Sequence, residues 1–338
     1  MTHSNTTTRI TADAFPVSPL ALRTADPARQ ARVRAFATPM AEAAGAAARR
    51  LAAGWHEAGA SVPRRVQALR ELHAELIGWR VELAEAAAGA GGAGRLGTGI
   101  PLSAERFRMP IADRNLDRLG RVGRLRDGAR WDPQTRTYQG GQSTPAYEAM
   151  ANYGIFAEYR FDEEGPHLDV LQNEITLPRG LRLRGNQLLR YRAAETAAAA
   201  LVARIAARGA DASEVETGGR PIYTRTPDPM DAEEIFTEAL VLLADAGTDT
   251  SPEDFRLARY MLFQAPRTKK GSDAVTRVFT VAVGALLFGP DAPVLRADED
   301  LRSYVLGQDA ATDPDGPDVL GMCAWCEMPA DGCPCSGD

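Results

Sequence analysis

Across residues 63–88, Val66, Leu69, Leu72, Leu76 and Leu83, with Ile77 and Trp79 beside them, recur at three- and four-residue steps. That spacing predicts a helix with one buried face. Pro63 suits its first turn, where a missing N–H costs nothing. Residues 27–57 read as a preceding long helix, so the two predict an α-hairpin closed by the turn at 59–63. The glycine-rich stretch 89–99 breaks the pattern and reads as a hinge, and an arginine-studded segment follows at 103–126.

From Trp131 the period changes. Residues 155–161 alternate well enough for a strand, 162–166 supply a loop, and 167–177 read as the return strand of a β-hairpin. Residues 181–184 fit a short third strand, 188–208 a helix, and 220–226 a further strand. The remainder is helical again at 230–246, 252–263, 273–288 and 298–306. Thr250 or Ser251, followed by Pro252 and Glu253, forms a capped helix start with acids in the first turn. The expected class is α+β, mostly helical, with a small antiparallel sheet in the middle of the chain and its hairpin near 155–177. The expected organisation is a flexible leader at 1–22, a basic helical region at 23–130, a main α+β domain at 131–310 and a cysteine-rich tail at 311–338.

Composition refines this picture. At 338 residues with 44% hydrophobic and 25% charged residues, the chain is an ordinary globular one, which excludes a disordered chain and removes any need for disulfide staples. The most apolar stretch, 278–289, is short of the roughly 18 residues of a membrane span, and 1–15 lacks the layout of a secretory signal. A soluble cytoplasmic protein without a membrane partner is the expectation. Residues 1–130 hold 20 arginines against 12 acids, whereas the rest of the chain is strongly acidic. Such asymmetry fits either two oppositely charged parts that dock on each other or a nucleic-acid-facing first half.

Of 39 basic residues only Lys269 and Lys270 are lysines. A GC-rich codon habit explains the arginines, but not why both exceptions are adjacent. They lie in Pro266-Arg267-Thr268-Lys269-Lys270-Gly271-Ser272-Asp273, between two expected helices. Free amides and the positive dipole end of the second helix favour an anion there, with Ser272 or Asp273 as cap. The expected ligand-binding residues are therefore Arg267, Lys269, Lys270, Gly271 and Ser272, and the ligand a phosphate-bearing or carboxylate small molecule, a nucleotide among them. The alternative is a solvated basic loop.

This string is faintly similar to the helix-junction loop of the Fic-type nucleotide transferases. However, Ala265 stands where their catalytic histidine would be, and Gly271-Ser272-Asp273-Ala274 replaces their Gly-Asn-Gly-Arg element. Neither the base nor the phosphate arginine is present, so the family is not assigned. The Gly89-Ala90-Gly91-Gly92-Ala93-Gly94 spacing of dinucleotide sites also fails, because a helix rather than a strand precedes it.

All four cysteines fall in the last sixteen residues, as Cys323-Ala324-Trp325-Cys326 and Cys333-Pro334-Cys335. Two close thiolate pairs can close a tetrahedral site, so structural Zn on Cys323, Cys326, Cys333 and Cys335 is the expected cofactor. A redox-responsive tail and a thiol acceptor or metal carrier are the alternatives. His56-Glu57 lacks the second histidine of a zinc protease, and His73 reads as a border residue of its helix. The sequence thus leaves open an enzyme or accessory protein for an anionic ligand and a non-catalytic nucleic-acid or protein-interaction module. It names no nucleophile or general base and sets no oligomeric state.

Overall fold

The computed structural model describes residues 9–89, 103–112, 114–245 and 251–322. The glycine-rich residues 90–99 and all four cysteines lie outside them. The described helices are α1 (Pro27–Arg34), α2 (Ala37–Ala58), α3 (Val62–Gly89), α4 (Pro145–Glu164), α5 (Tyr191–Ala207), α6 (Pro229–Asp245), α7 (Pro252–Gln264), α8 (Ser272–Phe288), α9 (Glu299–Val305) and α10 (Gln308–Thr312). The strands are β1 (Leu116–Leu119), β2 (Arg130–Asp132), β3 (Thr137–Gln139), β4 (Val170–Thr176), β5 (Arg182–Leu189) and β6 (Ile222–Arg225). The class is α+β, mostly helical, with small antiparallel sheets mid-chain.

The chain divides into two compact units, each assembled from separated stretches: 1–16, 35–113 and 228–299 form the first, and 17–34, 114–227 and 300–338 the second. In the first unit α3 packs against α2, α6 and α8. Leu69, Leu72 and Leu76 line its buried face, as their spacing requires, and Val278, Phe279, Ala282 and Val283 line that of α8. Each leucine, valine or phenylalanine among them contributes about 1.5–3 kcal/mol on leaving water. Residues 272–291 are long and apolar enough to cross a membrane by length and composition, more than the 278–289 stretch suggests, and half of that segment is buried within the protein. Gly59 ends α2 at φ +57 and its carbonyl accepts from Arg65 Nε at 2.8 Å, which closes the expected α2/α3 hairpin. Ser251 Oγ caps α7 by accepting from the Asp254 amide at 3.0 Å.

In the second unit a four-stranded antiparallel sheet has the order β1-β6-β5-β4, and β2 pairs with β3. The main hairpin is β4/β5, spanning residues 170–189. Residues 155–161, expected as a strand, belong to helix α4. The physical reason is the wider window: Ala146, Met150, Tyr153, Ala157 and Phe161, all buried, recur at three- and four-residue steps, while Tyr159 is exposed. Thr144 starts that helix, accepting from the Tyr147 amide at 3.2 Å with Pro145 following in the first turn. The third expected strand, 181–184, is the first half of β5, which continues past a register shift opposite Gln172 to Glu174. The long helix expected at 27–57 is two, α1 and α2.

Candidate functional site

The basic loop joins α7 to α8 in the first unit. Its conformation is fixed from within: Ser272 Oγ accepts from the Thr268 amide at 2.9 Å and donates to the Thr268 carbonyl at 2.8 Å, and Thr268 Oγ1 donates to the Lys270 carbonyl at 2.9 Å. The segment after Phe107 holds it from outside. The Lys269 amide donates to the Met109 carbonyl at 3.0 Å, and the Ile111 amide to the Arg267 carbonyl at 3.3 Å. Arg267, Lys269, Lys270, Gly271 and Ser272 are thereby brought together, with both lysines half-buried.

Neither Ser272 nor Asp273 caps α8. Gly271 occupies the cap position in the left-handed region, at φ +79, and no side chain caps the helix. Asp273 instead pairs with Arg277 one turn on, at 2.8 Å. No side chain therefore answers the first-turn amides as a cap, although the Asp273 carboxylate stands in that first turn. A glycine is required at 271 for a second reason. A Cβ there would lie 2.7 Å from the Phe107 ring and 2.9 Å from Arg80 Cγ.

That contact introduces a residue the sequence reading missed. Arg80, on α3, has its guanidinium 4.1 Å from the Phe107 ring centre and 5.6 Å from that of Phe36. Its Nε is buried and has no hydrogen-bond partner among the described residues. Burial lowers its pKa, yet arginine keeps its charge. The sequence did carry a signal. Arg80 lies seven residues after His73 on the stripe that includes Leu69 and Leu76, so it belongs to the buried edge of α3.

Arg267 has a different environment. Its guanidinium pairs with Glu233 of α6 at 2.5 Å and lies 4.7 Å from the Phe236 ring centre. Arg70 pairs with the same carboxylate at 2.9 Å, donates to Thr237 Oγ1 at 3.0 Å and lies 5.4 Å from that ring. Burial alone would raise the Glu233 carboxyl, but hydrogen bonds and charges from Arg70 and Arg267 outweigh it and hold the group below its ordinary value. One carboxylate thus answers two guanidiniums.

His73 is inside rather than at the border of α3. Its ring meets Phe236 and Phe279 edge-on at 4.9 and 5.5 Å, and burial followed by the charges of Arg267 and Arg70 lowers its pKa to about 3. It is neutral at physiological pH and serves as core. Among the described residues no group of three His, Cys, Asp or Glu side chains is placed to hold a metal ion. In the second unit, Arg190 is 1% exposed. No protein-family profile matches the chain, and no curated protein matches it either.

Proposed function

We propose that the protein binds a small phosphate-bearing or carboxylate ligand where the Arg267–Ser272 loop opens α8, and that it does so as a soluble cytoplasmic enzyme or enzyme accessory. The observation that carries this reading is Arg80. A guanidinium 4.1 and 5.6 Å from two phenylalanine ring centres beside an uncapped helix start, with its buried Nε lacking a partner among the described residues, supports a site for an anion there. Lys269 and Lys270 add compact charges on the adjoining loop, and the uncapped amides at the start of α8 would supply directional donors. Arg267 supports the loop through Glu233, and its charge is shared with that carboxylate.

A thermal-shift series with nucleotides and phosphate esters tests this reading on the wild type and on Lys269→Ala/Lys270→Ala. A ligand that raises the wild-type melting temperature and is lost in the double variant supports it. An unresponsive wild type, or a double variant with the same response, contradicts it.

We further propose that Cys323, Cys326, Cys333 and Cys335, which lie outside the described residues, hold a structural Zn ion. The paired thiolate spacing supports this. The chain leading into them is anchored, since Asn152 Nδ2 donates to the carbonyls of Val319 at 3.0 Å and Met322 at 2.7 Å. Metal analysis under reducing conditions is expected to find near-stoichiometric Zn in the full chain and a loss of it in Cys323→Ser/Cys335→Ser. Metal-free wild-type protein would exclude the site.

A further inference from the structure

In the second unit one face of the four-stranded sheet is only partly covered by α5. The cover is thin because α5 is rich in alanine. Ala194 and Ala198 pack on Leu189 and Tyr223, while Ala193 and Ala197, one turn apart, leave space beside them. That space is an open surface groove of about 450 Å³. Its floor is apolar, made by Leu189 and by Val170, which is 36% exposed.

The charges around this floor are uneven. Arg225 projects from β6 into the lining, and Arg192 stands at the first turn of α5. Asp169 is the one acid in the lining. Arg225 is fixed by a row of side chains across the sheet: its Nε and Nη2 both donate to Gln187 Oε1, the Nε at 2.8 Å, and Gln187 Nε2 donates to Gln172 Oε1 at 2.9 Å. Its hydrogen-bond acceptor is thus a neutral amide oxygen, and it makes no ion pair among the described residues. Burial and then the nearby charge of Arg114 lower the Arg225 pKa, consistent with an uncompensated cation.

We infer that this groove binds a small carboxylate with an apolar body, the carboxylate on Arg225 and Arg192 and the body on Val170, Leu189 and the alanine face of α5. Two cations against one acid leave a single positive charge, which matches a monoanion, and the planar guanidinium fork suits a carboxylate. The floor gives the apolar body a surface to cover. The site is independent of the proposed anion site in the first unit.

Calorimetric titration with octanoate tests this, with 1-octanol and inorganic phosphate as comparison probes. Octanoate is expected to bind saturably and 1-octanol about tenfold or more weaker, whereas any phosphate signal, arising at the first-unit site, should be the same in Arg225→Gln. Ala197→Leu, which fills the groove, and Arg225→Gln should each weaken octanoate by about tenfold or more. Arg192→Gln changes only an exposed side chain and should weaken it by a smaller factor, so it serves if Arg225→Gln perturbs the sheet. Failure of the wild type to bind octanoate, equal binding of octanoate and 1-octanol, or indifference to both Ala197→Leu and Arg192→Gln would overturn the inference.

Discussion

Arg80 in the first unit and Arg190 in the second occupy similar aromatic settings with opposite outcomes. Arg190 lies 4.4 Å from the Phe161 ring centre and 4.7 Å from that of Tyr191. It donates to the carbonyls of Leu168 at 2.9 Å and Pro166 at 2.7 Å, and its Nη1 reaches Asp162 at 3.2 Å and Glu158 at 3.4 Å. Every nitrogen has an acceptor from the chain itself. Arg80 has the rings, at 4.1 and 5.6 Å, but a buried Nε with no acceptor. The difference separates two uses of the same residue. One arginine ties its own fold together, and the other leaves a buried Nε without an acceptor among the described residues, which is the basis of the proposed anion site. In a sequence with 37 arginines, partner satisfaction distinguishes them where residue type does not.

The largest effect that sharpens this contrast is on stability. Arg190→Met removes charge-assisted bonds to two carbonyls and should cost about 3 kcal/mol in chemical denaturation. Arg80→Met keeps an apolar stem between the rings and should change ligand-free stability by less than about 1 kcal/mol. Similar losses for both would dissolve the comparison.

A second effect concerns His73, on the same stripe of α3 as Arg80. Its folded pKa of about 3 lies below the ordinary value of 6.5, so between these values the unfolded chain binds the proton and the folded chain does not. The stabilisation is full above pH 6.5 and is lost as pH falls toward 3. Between pH 7 and pH 5 the wild type should lose about 2 kcal/mol through this residue. His73→Leu should lack that component of the slope, and an unchanged slope in the variant would place His73 in contact with water rather than in the core.

A smaller effect comes from the glycine that brings the loop beside Arg80. Gly271→Ala introduces a side chain in the left-handed region and against Phe107, costing about 1–2 kcal/mol. It should also weaken whatever anion response Arg80 supports, since both crowd the same side chain. A destabilised variant with a wild-type anion response would separate the loop from Arg80.

Much of the fold was legible from periodicity. Helices α3, α6, α7 and α8 carry long apolar stripes or capped starts, and β6 has its short apolar run. Residues 155–161 misled because a seven-residue window of apolar and polar side chains fits both periods. Only the positions from Met150 onward, with the Thr144 start, resolve it as helix. The sheet hairpin was displaced for the same reason. At the site, the loop from Arg267 to Ser272 was legible from its two lysines, but the roles within it were not. Ser272 is engaged with Thr268 and Arg267 with Glu233, pairings with no local sequence mark, whereas the Asp273–Arg277 pair is an i,i+4 spacing that could have been read. Arg80 was readable in principle, as a cation at a heptad step from a buried position.

The most direct test is calorimetric titration of inorganic pyrophosphate and ADP into the wild type and Arg80→Met. Saturable binding by the wild type, weakened about tenfold or more by Arg80→Met with little change in ligand-free stability, is the expected result. Absence of binding to either probe, or equal affinity in the two proteins, would contradict the assignment of Arg80 as a cation held for an external anion.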